Sequence, residues 1–340
     1  MDTGQNSEAL RVIALFRQIR AEGRPDQRTR IEFQLARGEY EEIESILQQD
    51  KELSAFVDKI RFDYDGRSRI LSVRMISLLH DVFVSEVEDA IRSQIKAIRA
   101  GSDQQAEFAK DVVVTRSAGI DFTASDPSSK SKCEPDTSFR HLDAKYPGVI
   151  IEVGYSQEKE SLSRLAHTYL LESRTSIQVV ICVKIEYGKK ATRKATVSTW
   201  RHQLSKTESG YELRAVEVAA DEAFRDAEGN PVEHPGLRLR LSDFACKELA
   251  KEGLGDDDAE IWVSGIELCQ FLDRAERMEQ RGLVTAFLPY SVVVQLLPIP
   301  PPEEIQPSDE ARYEKEEKMA EERAEDDDPD YQPDPDYQPL

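Results

Sequence analysis

Apolar and polar residues alternate in several distinct registers along the chain. Within the first 60 residues, Leu10, Ile13, Leu15 and Phe16 form one apolar cluster and Ile43, Ile46 and Leu47 another, among many charges. Gly23 and Pro25 separate them, so the pattern predicts a peripheral helical layer over 1–59. The period then changes to two. Ile60–Tyr64 alternates, Asp65-Gly66 is a hairpin turn signal, and Arg69–Met75 alternates again. Ser77 is a natural N-cap. Beyond it Leu79, Phe83, Val87, Ile91, Ile95 and Ile98 recur at helical spacing, predicting a long amphipathic helix to about Arg99.

The middle of the chain predicts strands at Asp111–Thr115, Gly119–Thr123, Pro135–Phe139 and Val149–Tyr155. A helix from about Lys159 to Ser173 follows, then strands at Ile177–Tyr187 and Lys194–His202. Val149-Ile150-Ile151-Glu152-Val153 is apolar on both faces except for its carboxylate, the pattern of a strand covered on both sides. Further on, strands are expected at Tyr211–Val218 and Leu237–Leu241, a turn at Asp226–Pro231, and a helix at about Ser264–Arg281. The division predicted is 1–59 helical, 60–205 an α/β core, 206–298 an α/β extension packed on it, and 299–340 a disordered acidic tail.

Composition supports that last boundary. Residues 303–340 carry 16 acidic and 4 basic side chains, so −12 of the total −21 lies there and −9 remains on residues 1–302. Such a segment cannot bury enough apolar surface to fold. No run of 18 apolar residues exists, so no membrane partner is expected. The N-terminal residues have no signal-peptide pattern. Cys133, Cys182, Cys246 and Cys269 are far apart, without zinc or disulfide spacing. An intracellular location, nuclear or cytoplasmic, is the expectation. Glycine-rich phosphate loops, GxSxG and HExxH are absent, which leaves nucleotide-hydrolase, serine-hydrolase and zincin chemistry without support.

The chemical anomaly is Glu152. A carboxylate inside a strand of Val and Ile is costly unless paired, protonated or bound to metal. Asp136, directly after Pro135, lies on the preceding strand, and adjacent strands can bring the two together. Two close carboxylates attract a hard divalent cation, and Mg²⁺ needs few protein ligands. The alternative is structural, with the acids paired to an arginine such as Arg164.

Glu134-Pro135-Asp136 followed by Ile151-Glu152-Val153-Gly154 resembles the core of the PD-(D/E)XK, or restriction-endonuclease-like, superfamily. The stretch of about 60–202 also resembles a group of uncharacterised fungal proteins with such a core. The matching segments include Ile60–Tyr64, Arg74–Phe83, Pro135–Phe139, Ile151–Gln157 and Lys194–Arg201. The resemblance implies a mixed sheet flanked by helices and a Mg²⁺- or Mn²⁺-dependent nuclease hydrolysing phosphodiesters. It makes Asp136 and Glu152 metal ligands, with Asp81 on the first core helix as a third and Glu86 behind it.

One departure is plain. The lysine expected two positions after the acid is Gly154. Lys159 is the nearest substitute for this catalytic role, with Lys145 and Lys184 as others. The departure also implies the alternative, a catalytically inactive module that binds nucleic acid or a protein partner. The acidic folded part argues against broad nonspecific DNA affinity but permits a local positive groove. Candidate contacts are the basic turn Lys189–Lys194 and Trp200-Arg201. The commoner roles of those residues are a solvated hairpin tip and a core aromatic.

Overall fold

The computed structural model describes residues 7–22, 30–75, 77–122, 130–155, 159–186, 192–207, 210–254, 257–282 and 319. The chain divides into units Met1–Val284 and Thr285–Leu340, and nearly all described residues belong to the first. Apart from residue 319, the expected tail lies outside the described residues, as does the tip of the basic turn (187–191).

The class is mixed α/β. A six-stranded sheet forms its centre. Its strands are β4 (Val112–Val114), β7 (Thr137–His141), β8 (Val149–Tyr155), β9 (Val179–Ile185), β10 (Ala195–Thr207) and β11 (Gly210–Arg225). Their spatial order is β11-β10-β9-β8-β7-β4. Only β8 and β9 run parallel, joined by helix α6 (Lys159–Glu172) across one face. The α6 crossover explains why both strands read as continuous apolar runs.

Alternation along β8 assigns its two faces. Val149, Ile151 and Val153 enter a core with α4 (Leu78–Arg99), α5 (Gln104–Lys110), α7 (Lys247–Leu254) and α8 (Gly265–Gly282). Ile150 enters the opposite core, under α6, with Leu162, Leu165 and Tyr169. Glu152 shares the parity of Ile150 and so points to the α6 face.

Helix α4 forms as its spacing predicts. The Ser77 Oγ accepts the His80 N–H at 3.2 Å. Leu79, Phe83, Val87, Ile91 and Ile95 are buried, and Lys96 and Arg99 occupy the last turn, where cations favour the helix dipole.

A second sheet has the order β1-β3-β2-β6-β5. Its strands are β1 (Arg30–Gln34), β2 (Arg61–Asp65), β3 (Ile70–Arg74), β5 (Ile120–Phe122) and β6 (Ser131–Cys133). The β2–β3 hairpin matches the predicted alternation. Strand β1 lies inside the segment expected to be helical and pairs with β3. Helices α1 (Glu8–Glu22), α2 (Glu39–Gln49) and α3 (Lys51–Val57) cover this sheet through Phe16, Ile43, Leu53 and Leu71.

A two-stranded sheet of β12 (Leu237–Arg240) and β13 (Glu260–Val263) completes the described elements. Gly148 shows how closely this region packs. A Cβ there would lie 2.2 Å from the backbone oxygen of Asp243, in the short helix Leu241–Phe244. Trp200 is buried beside His167, in the core under α6.

Candidate functional site

Asp136 and Glu152 do come together. Thr137 pairs with Ile151 across β7 and β8, so continuing the register by one residue sets Asp136 opposite Glu152. Their side chains are each 1% exposed. Asp136 Oδ2 accepts the Val153 N–H at 2.7 Å. The Tyr169 hydroxyl on α6 donates to Glu152 Oε1 at 2.6 Å.

The group between them is an arginine. Nη1 of Arg74, the last residue of β3, lies 3.0 Å from Asp136 Oδ1 and 2.9 Å from Glu152 Oε2. Its Nε lies 3.2 Å from Asp63 Oδ2, so one buried guanidinium serves three carboxylates. Arg61, the cross-strand partner of Arg74 on β2, adds Nη1 at 3.2 Å from Asp136 Oδ1. His80, in the first turn of α4, places Nε2 3.0 Å from Asp136 Oδ2. The expected arginine partner, Arg164, instead reaches Glu32 on β1 at 2.5 Å.

Electrostatics follow from this packing. Burial opposes ionisation of Asp136, but His80, Arg74 and the Val153 N–H outweigh it and hold the acid below its ordinary range. Burial likewise opposes the imidazolium of His80. The charge and hydrogen bond of Asp136, helped by Asp81, still push it up from 6.5 to about 9, against repulsion from Arg74. Glu152 goes the other way. Burial, with the charges of Asp136 and Asp63, raises it from 4.5 to about 8 despite Arg74. Arg74 alone faces three acids, and Glu152, which lacks the second cation that Asp136 has in His80, is the one pushed up.

A pH dependence results. The contribution of His80 to stability is full below 6.5 and is lost as pH rises through about 9. The proton on Glu152 favours the folded state less as pH climbs from 4.5 towards about 8. Asp136 contributes above its ordinary 3.8, and its contribution is lost as pH falls through its lower folded value. Stability is therefore expected to peak on the mildly acidic side and to fall between pH 6.5 and 9. Urea midpoints across that range check this. A midpoint that is flat or rises towards pH 9, or a slope unchanged in His80→Gln, would contradict it.

The other expected site residues lie apart from the pair. The Asp81 side chain is 59% exposed and faces His80 Nδ1 at 3.6 Å, on the far side of that ring from Asp136. Glu86 pairs with Arg274 of α8 at 3.0 Å. Lys159 is the first residue of α6, and its side chain lies outside the described residues. Lys145 sits over the Tyr146 ring, and Lys184 pairs with Asp221 at 2.8 Å. Among the described residues, no lysine amine is bonded to Asp136 or Glu152.

The residues therefore do not fit the expected metal. The place between the two carboxylates is filled by a guanidinium, and the third proposed ligand points to solvent. A different group could hold a metal ion. The ligand atoms of Asp111, His141 and Asp143 lie within 4.8 Å of one another, where α5 and β4 meet the end of β7. No HxH or HxxxH pattern surrounds His141 in the sequence. The link to Asp111 comes from strand pairing.

A scan against protein-family models finds no match, and a search of curated proteins finds none.

Proposed function

We propose that the protein is a nucleic-acid-binding module on a nuclease-like α/β scaffold, without metal-dependent hydrolysis at Asp136 and Glu152. One observation carries the loss of hydrolysis. The Arg74 guanidinium bridges both carboxylates at 3.0 and 2.9 Å in a site closed to water, where a divalent cation would have to sit. Exchanging it for Mg²⁺ would require a buried cation to leave three acids. Gly154 in the place of the motif lysine agrees with this reading.

The scaffold supports the likeness through its element order: α4, then β4, β7 and β8, then α6 and β9, with the acids at β7 and β8. The nucleic-acid partner is supported by charge. Around the edge strand β4, two neighbouring cavities are lined by Arg92, Lys96, Arg99 and Arg116, and by Arg140 and Lys145. These cations are concentrated on a chain of net charge −21. A local positive surface on an acidic protein gives contact with phosphates without broad adhesion. Among the described residues, the Asp111–His141–Asp143 group is the one that could hold a metal ion. Its imidazole donor suits Mn²⁺ better than Mg²⁺.

The test is to incubate the full chain with labelled single- and double-stranded DNA and RNA in Mg²⁺ or Mn²⁺. Salt-sensitive binding without cleavage is expected, and it should survive in an Asp136→Asn, Glu152→Gln double variant. Metal-dependent cleavage that this variant abolishes would sink the inactive reading. No binding to any strand at low salt would sink the nucleic-acid reading.

A further inference from the structure

The cavity between α4 and β4 is separate from the acidic pair and has the chemistry of a ligand site. Its volume is about 440 Å³. That is ample for a phosphorylated small molecule and far more than a bare phosphate needs. Arg92, Lys96 and Arg99 line it from α4. Their spacing of four and then three residues puts them in one stripe on the helix. Arg116 closes the opposite side from the turn after β4, with a left-handed φ of 48°.

These cations are not equivalent. Arg99 is pinned, its Nε donating to the Ala109 carbonyl at 2.7 Å and its Nη2 to the Val112 carbonyl. Arg92 gives Nη2 to Asp89 at 2.8 Å, and its buried Nε has no hydrogen-bond partner. Lys96 makes no ion pair among the described residues. Like charges on neighbouring turns repel, so the stripe costs stability that a bound anion would restore.

The interior differs from the rim. Glu88, its side chain 9% exposed, accepts the Thr137 hydroxyl at 3.1 Å and faces Arg116 Nε at 3.3 Å. Phe139 and Val113 add apolar surface. A ligand suited to this lining has an anionic group for Arg92 and Lys96, a flat or apolar body, and a donor for the carboxylate of Glu88. A simple inorganic anion would use the rim alone and leave the rest of the volume to water.

We propose that this cavity binds a nucleoside phosphate. The phosphate is held by Arg92, Lys96 and Arg116, and a hydroxyl or amine of the nucleoside donates to Glu88. The proposal deepens the nucleic-acid reading and rests on it for the choice of ligand class. The shared chemistry could come from a free nucleotide or from one unit of a strand.

Calorimetry on the full chain distinguishes the sources. The probes are each of the common nucleoside 5′-monophosphates, inorganic phosphate and a short single-stranded oligonucleotide. The variants are Lys96→Glu, at an exposed position that should leave the fold intact, and Lys247→Glu in a different cavity as control. A nucleotide or the oligonucleotide is expected to bind, with affinity reduced about tenfold or more by Lys96→Glu and little by Lys247→Glu. Oligonucleotide binding untouched by Lys96→Glu, with no nucleotide bound, would overturn the cavity proposal and leave the nucleic-acid reading standing. Nucleotide binding sensitive to Lys96→Glu without any strand binding would support the cavity and overturn that reading. Inorganic phosphate binding as tightly as the nucleotides would overturn the nucleoside assignment.

Discussion

Arg74→Ala is expected to destabilise the protein by about 3–5 kcal/mol, enough to leave it largely unfolded under ordinary conditions. Removing the guanidinium leaves Asp63, Asp136 and Glu152 buried without the cation they share. Water cannot replace it, because Asp136 and Glu152 are closed to solvent. His80 and Arg61 still hold Asp136, so the heavier loss falls on Asp63 and Glu152. Arg74→Lys should recover only part of the loss, since one ammonium lacks the fork that reaches three acids. Arg74→Met combined with Asp63→Asn should be more stable than Arg74→Met alone, because one of the stranded charges is gone. Equilibrium urea denaturation checks all three. A loss below about 1 kcal/mol for Arg74→Ala would show that the network contributes little to stability.

Arg225→Ala should cost about 3 kcal/mol, by the same physics at a different place. Arg225 ends β11 with a side chain that is 0% exposed. Its Nη1 and Nη2 meet Glu276 of α8 at 2.7 and 2.8 Å, and Nη2 also meets Asp273 at 2.9 Å. Burial opposes ionisation of Glu276, but the hydrogen bonds from Arg225 and Arg193 outweigh it and hold the acid below its ordinary range. Arg193 approaches the same carboxylate from a half-exposed position, so it softens the loss without replacing the fork. Arg193→Ala itself should cost under about 1 kcal/mol, as exposed pairs do. Hydrogen exchange would place the damage, with α8 losing protection first in Arg225→Ala. Equal losses from the two substitutions would contradict the assignment of the buried partner.

How much was legible in the sequence depends on the range of the interaction. Helix α4 and strands β8 and β9 were readable because burial imposes a period on adjacent residues. Glu152 stood out because a charge interrupts an apolar run. Its meeting with Asp136 followed from neighbouring strands only 16 residues apart. Arg74 was not readable as their partner. It ends an alternating strand, where a charge normally points to water, and its contacts join residues 62 and 78 positions apart. Arg164 was the nearer guess, and β1, hidden in a segment that reads as helical, takes it instead. Helices α5 and α7 have seven and eight residues, too few for a clear period. Strand β6 is three residues long and follows a polar stretch of sequence. The β4 cavity draws its cations from one helix and one turn, so the sequence showed the charges without their convergence.

The Arg74 guanidinium occupies the place between Asp136 and Glu152. Anomalous diffraction from crystals soaked in Mn²⁺ tests it most directly. No peak is expected within bonding distance of those two carboxylates, with Arg74 in place between them. A peak at Asp111, His141 and Asp143 would be compatible with that result. A Mn²⁺ peak shared by Asp136 and Glu152, with Arg74 displaced, would contradict it.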